Sequence, residues 1–444
     1  MILIGNGRVV TRDDSNAFIE DGAVVCEGEI IKDIGMLADM KKKYPEARFI
    51  DAKGGVIMPG LINMHNHIYS AFARGLSIKG YNPSGFLDIL NGLWWKLDRT
   101  MNLDDTYWSA KATYLDCIKN GVTTIFDHHA SFGSIEGSLE KISQASAEAG
   151  IRSCLCYEVS DRDGDRKSAA SVDENEAFLK KCRSEKNTMQ AGMVGMHASF
   201  TISDKTMEKC ARLAKDYDTG CHIHVAEGLS DVTDCLSNYG KRIINRLDDM
   251  NILGPKTIAV HCVHIDDREM DIVKETDTMV VHNPESNMGN AVGCGDVPAM
   301  FQKGIMLGLG TDGYTNDMLE SYKVGNIIHK HNTGDPNEGW AELPVMLFKN
   351  NAEMANRYFA PKLGVLKKGT AADVIVTDYI PLTPMNASNI NGHTVFGMNG
   401  RSVITTVCAG KVLMENRKLT GMDEEEILKK SREQAADLWK RING

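Results

Sequence analysis

Pro59-Gly60-Leu61-Ile62-Asn63-Met64-His65-Asn66-His67 sets a short apolar run directly ahead of a His-X-His pair. Side chains two residues apart on a strand share a face, so both imidazoles point the same way and converge on one place. Two readings stand at this point: a pair of metal ligands, or two half-buried histidines at a strand end.

From this stretch onward, apolar or β-branched runs alternate with stretches of helical period, the pattern of a parallel sheet. The runs lie near 60–66, 122–128, 152–158, 192–198, 220–226, 257–262, 278–282 and 306–311. Eight such strands close a (β/α)8 TIM barrel. A doubly wound open sheet is the alternative, but no Gly-rich phosphate loop follows the first strand. The helices have readable ends: Asn102-Leu-Asp-Asp opens one, and Asn120-Gly121 supplies a left-handed stop before the second strand. Gly80-Tyr-Asn-Pro-Ser-Gly85 reads as a loop over the barrel mouth.

The first fifty residues and the segment from Ala372 to Leu413 carry short apolar runs broken by turn residues. Neither patch is long enough for a well-buried sheet alone, so the two are expected to combine into a small β-sandwich built from both chain ends. The expected domains are residues 1–57 with 360–422 for this composite β domain, 58–359 for the barrel, and 423–444 for a C-terminal helix with early acids and late lysines.

Composition excludes several classes. Hydrophobic residues at 42% and charged residues at 25% suit an ordinary globular protein. A net charge of −10 without a basic cluster removes the footprint of nucleic-acid binding. No apolar run approaches membrane-spanning length. The start MILIGNGRVVTRDD lacks the charged and apolar regions of a secretory signal, and eleven cysteines follow no repeating spacing. The expectation is a cytoplasmic protein with reduced thiols. The 23 methionines read as core filling.

Histidines and acids recur at the ends of other predicted strands, where barrel active sites are built. The fifth ends Cys221-His-Ile-His224-Val-Ala-Glu227, the sixth Ala259-Val-His261-Cys-Val-His264, the seventh Val281-His282-Asn-Pro, and the eighth Gly308-Leu-Gly-Thr-Asp312-Gly. In this order, together with Lys368-Gly-Thr-Ala-Ala-Asp-Val, these motifs resemble the amidohydrolase superfamily across nearly the whole chain. The branch resembled is that of aminohydrolases and chlorohydrolases, with its guanine, adenosine-type and cytosine deaminases. Leu93-Trp-Trp-Lys-Leu-Asp-Arg, Asp127-His-His-Ala-Ser and Thr311-Asp-Gly-Tyr-Thr-Asn-Asp look like the SsnA-type aminohydrolases, a group linked to bacterial purine catabolism.

The resemblance implies one divalent metal, zinc with iron or manganese as alternatives, held by His65, His67, His224 and Asp312. A water in the remaining position would ionise near neutral pH. Glu227, three residues after His224, would deliver a proton to the ring nitrogen of the substrate. His261 would hydrogen-bond the attacking water or the developing oxyanion. Asp312 would also pass the water proton to the leaving group. His222 is read as a buried structural imidazole. At the fourth strand a histidine, His197, stands where binuclear relatives carry a bridging lysine, which implies one metal and leaves His197 to touch substrate. Trp95 and His282 complete the expected substrate-binding set, with Trp94 or Trp95 as a packing residue. One of His128 and His129 faces the pocket, or either hydrogen-bonds a ligand residue from behind. Arg74 and Arg162 are read as anion clamps or surface residues.

The implied reaction is hydrolytic deamination of an amino-substituted, purine- or pterin-like heterocycle, with cyclic-amide ring hydrolysis and triazine dechlorination as rivals. A non-enzymatic scaffold should show substituted ligands, and none is substituted here. A homodimer is expected only by analogy.

Overall fold

Leu61–Asn66, Val122–His129, Arg152–Tyr157 and Gln190–Gly192 form one parallel sheet in the computed structural model, which describes residues 1–444. Val194–Ala198, Cys221–Val225, Ile258–His261, Met279–His282 and Leu307–Leu309 form a second. Nearly every residue of these strands is buried, as strands covered on both faces require. All eight runs expected from the sequence are therefore strands.

The two sheets meet at both ends. The fourth run is divided at Met193: Met193 N–H donates to the Leu155 carbonyl at 3.1 Å, while Val194 N–H donates to that of Gly220 at 3.0 Å. At the other seam the N–H groups of Thr311 and Asp312 both donate to the His65 carbonyl at 3.0 Å, and Asn66 bridges Asp312 in parallel register. The approach there is so close that a Cβ on Gly310 would lie 2.9 Å from that of His65. This seam sets the His-X-His pair beside Asp312, from opposite ends of the strand series.

Helix boundaries follow their capping chemistry. Asn102 accepts from the N–H groups of Asp104 and Asp105, Asp105 returns a bond to Asn102 N–H, and the helix runs Leu103–Lys119. Gly121 then takes φ 77°, freeing the chain to enter the second strand. The tail helix Glu424–Asn443 is capped by Asp423.

The chain ends build a single nine-stranded hydrogen-bonded sheet, where two facing sheets were expected. Val374–Thr377 pairs antiparallel with Val56–Pro59, and so joins the C-terminal strands to the N-terminal ones. A short helix, Leu37–Lys43, interrupts the N-terminal run of strands. The mixed sheet is fastened to the parallel one by Arg152, whose guanidinium pairs with Asp373 in full burial. Asp373 also accepts from Ala409 N–H at 2.8 Å. Removing one member of a buried ion pair strands the other charge, so Arg152→Met is expected to cost about 3–5 kcal/mol in urea unfolding. The double variant Arg152→Met/Asp373→Leu should recover much of that loss; no recovery would deny the pair its role as a fastener.

Candidate functional site

His65 and His67 end the first strand of the parallel series, His224 lies near the end of the fifth, and Asp312 follows the eighth. Candidate ligand atoms of His65, His67 and His224 lie within 4.8 Å of one another, as do those of His65, His261 and Asp312. His67 Nδ1 donates to the His128 carbonyl at 2.6 Å, and His224 Nδ1 to the His197 carbonyl at 2.9 Å. A carbonyl only accepts, so both protons sit on Nδ1, and the two Nε2 atoms face each other 3.2 Å apart with bare lone pairs. Two nitrogens at about 2.0–2.1 Å from one tetrahedral cation are separated by about 3.3 Å, so this spacing fits a shared metal. His65 Nδ1 meets His222 Nε2 at 2.9 Å, and its Nε2 is buried without a hydrogen-bond partner. Burial, reinforced by mutual repulsion among the rings, holds His65 and His224 well below the ordinary histidine pKa; burial also lowers His67. All three are neutral at physiological pH, as ligation requires.

Asp312 Oδ1 stands 3.3 Å from His67 Nε2 and 3.9 Å from His65 Nε2. Its carboxylate is aimed by Ser286 Oγ at 2.7 Å and Gly313 N–H at 2.6 Å. Asp312 has φ 53° and His261 φ 70°, left-handed conformations that non-glycine residues adopt at a cost; here they turn both side chains into the site. His261 Nδ1 donates to Asn287 Oδ1 at 2.8 Å, so its bare Nε2 points between Asp312 Oδ2 at 3.6 Å and Glu227 Oε2 at 3.4 Å. Glu227 Oε1 accepts from Asn290 Nδ2 at 3.1 Å. Burial, together with the Asp312 charge, pushes the Glu227 carboxyl well above the usual range. Next to one another therefore lie a cluster of neutral imidazoles, a carboxylate and a carboxyl disposed to keep its proton.

A narrow cavity opens on this group. Tyr69, Phe86, Leu90, Trp94 and Trp95 form its apolar wall, and Glu158, His197 and Asn290 its polar one. Trp95 packs edge-on against His197 with ring centroids 5.8 Å apart. Both tryptophans line the space, on a helical stretch, Phe86–Thr100, that follows the Gly80–Gly85 loop. His282, expected at the substrate, is instead buried against His329, ring centroids 5.0 Å apart, and does not line the cavity. Arg162 is neither a surface residue nor a free clamp: it pairs with buried Asp98 beneath Trp95. Arg74 pairs with Asp116 at 3.3 Å. His128 turns its ring Nε2 to the carbonyls of Met196 and His222, and His129 bonds Ser131 Oγ at 3.0 Å.

Sequence reasoning missed Tyr69, Phe86, Leu90 and Asn290 in the cavity wall and, as a titratable group, Glu158. Glu158 follows the third strand, and burial pushes its carboxyl up to about 8. The rule that selected Glu227 and Asp312, an acid at a strand's C-terminal end, also selects Glu158.

Comparison with known proteins bears on the fold and the family. The chain is 31% identical over 427 residues to a 5'-deoxyadenosine deaminase of Methanobrevibacter smithii, covering 94% of each. An adenosine deaminase from Xanthomonas campestris with bound zinc superposes with a TM-score of 0.87 at 22% identity, covering 98% of both chains. A zinc complex of atrazine chlorohydrolase from Arthrobacter aurescens superposes at 0.82 and 22% identity, covering 98% of this chain and 100% of that one. These two structures establish a shared fold. A family model described as the Amidohydrolase family matches residues 56–413, and the chain belongs to that family.

Proposed function

We propose that the protein hydrolytically deaminates an amino-substituted, purine-like heterocycle, using one divalent metal held by His65, His67, His224 and Asp312. The single observation that carries this reading is the pair of bare Nε2 atoms of His67 and His224, 3.2 Å apart and fixed by strand carbonyls. The full-length likeness to a 5'-deoxyadenosine deaminase supports the reaction class. In this reading the eight parallel strands are a closed barrel, supported by the bridges Asn66 to Asp312 and Val159 to Met196 at the two seams. Residues 58–359 carry that barrel, 1–57 and 360–422 the composite β domain, and 423–444 the tail helix.

When bound, the cation supplies Lewis acidity that makes a water nucleophilic at neutral pH; zinc suits the donor set, and His197 in the fourth strand argues for a single ion. The chain's own residues do the rest. Glu227, a carboxyl that retains its proton, protonates the ring nitrogen beside the carbon that carries the amino group. His261 Nε2 accepts a hydrogen bond from the attacking water, and Asp312 takes that water's proton and carries it to the departing ammonia. Trp95 and His197 hold the heterocycle in place. The apolar wall keeps bulk water away and so strengthens each of these interactions.

Two measurements test the reading. Zinc added to chelator-treated protein should raise the melting temperature, by the equivalent of about 2.7 kcal/mol at 100-fold excess over Kd. His67→Ala and Asp312→Ala should each abolish the shift, and two tightly bound equivalents per chain would contradict the single-ion site. For catalysis, Glu227→Gln should keep its metal but release ammonia roughly 10²–10⁴-fold more slowly. Because the acid form of Glu227 works, wild-type turnover should decline as pH rises through its elevated pKa. Undiminished ammonia release by Glu227→Gln would remove Glu227 from the mechanism, and chloride or ring-opened product without ammonia from the wild type would refute the deaminase assignment.

A further inference from the structure

The Glu158 carboxyl is 2% exposed and lines the catalytic cavity, yet its side chain makes no hydrogen bond within the protein. His128 Nδ1 is 3.5 Å away and carries no proton to give, because the His128 proton is on Nε2, between the carbonyls of Met196 and His222. Arg162, the cation of this region, is committed to Asp98 and stacked 4.1 Å over Phe132. A buried carboxyl that nothing in the fold satisfies is costly to keep unless a ligand satisfies it.

The neighbouring residue has the same polarity. His197 Nδ1 meets Thr201 Oγ1 at 2.8 Å, and the Thr201 hydroxyl gives its proton to the Ala198 carbonyl at 3.1 Å. The His197 proton is therefore on Nδ1, and its Nε2 is a second acceptor. Glu158 and His197 offer ligand atoms within 4.8 Å of one another. With Glu158 ionised, which burial delays until about pH 8, Glu158 and His197 thus present two acceptors side by side, and they lie in the same cavity as Glu227.

We propose that Glu158 determines specificity: its carboxylate, seconded by His197 Nε2, accepts hydrogen bonds from a two-donor edge of the substrate while Glu227 serves the reacting end. The inference rests on the deaminase reading for the identity of the site, not for the polarity of the wall. Two chemistries offer such an edge, a pair of ring N–H groups, as in an oxidised purine, and the vicinal hydroxyls of a nucleoside sugar.

The test compares wild type, Glu158→Gln and Glu158→Asp, all loaded with zinc, on two matched pairs: 8-oxoadenine against adenine, and adenosine against 2',3'-dideoxyadenosine. Ammonia release and calorimetric binding are followed together with metal content and melting temperature. In the wild type, kcat/KM should favour the donor-bearing member of at least one pair by roughly 10- to 100-fold, the span of a hydrogen bond to a charged group. Which pair responds identifies the source of the donors. Glu158→Gln should erase that preference and change neither metal content nor melting temperature, since no internal bond is lost; Glu158→Asp should restore part of it. A preference that survives Glu158→Gln, no preference in either pair, or loss of metal from the variant would overturn the proposal. If the wild type releases ammonia from none of the four, the deaminase reading falls, and the calorimetric preference alone decides on Glu158; absence of binding to all four overturns it as well.

Discussion

Two backbone carbonyls, those of His128 and His197, take the Nδ1 protons of His67 and His224 and so decide which nitrogens remain bare. The resulting Nε2 atoms confront each other at 3.2 Å in a dry pocket, an arrangement that repels until a cation lies between them. Both carbonyls belong to strand ends, so the protonation of the site is dictated by the sheet and not by mobile side chains. His65, steered by His222, and Asp312, clamped by Ser286 and Gly313, complete a ring of donors whose geometry precedes any ligand.

The same economy governs the acid side. Glu227 and Asp312 differ in their surroundings more than in their chemistry. Asp312 receives two short hydrogen bonds, whereas Glu227 has one long bond from Asn290 and the field of a neighbouring carboxylate. Burial and the neighbouring Asp312 charge thereby dispose Glu227 to keep its proton, against the single hydrogen bond from Asn290.

Much of this was legible in the sequence because the signals are local. All eight apolar runs are strands, Asn102 and Gly121 bound a helix as their chemistry requires, and the donor residues stand at strand ends where the side-chain period points them inward. What escaped was decided by tertiary packing. His282 carries the same strand-end signature as His261, but the helix bearing His329 draws it away from the cavity. Glu158 stands at a strand end like Glu227, but no histidine three residues before it marks the position, and its place in the cavity wall beside Trp95 and His197 shows only in the folded chain. Arg162 read as a surface residue because its partner, Asp98, lies far along the chain. The single nine-stranded sheet was equally hidden, since pairing Val56–Pro59 with Val374–Thr377 spans most of the sequence.

That long-range pairing, with the seam between Asn66 and Asp312, makes the chemistry contingent on nearly the whole polypeptide. Partners separated by some hundreds of residues must meet before either stretch is satisfied, and such contacts form late. During synthesis, the histidines of the first strand emerge long before the aspartate that completes their circle. Until the eighth strand arrives, the edge of the first strand at this seam has no partner and stands open to whatever it encounters.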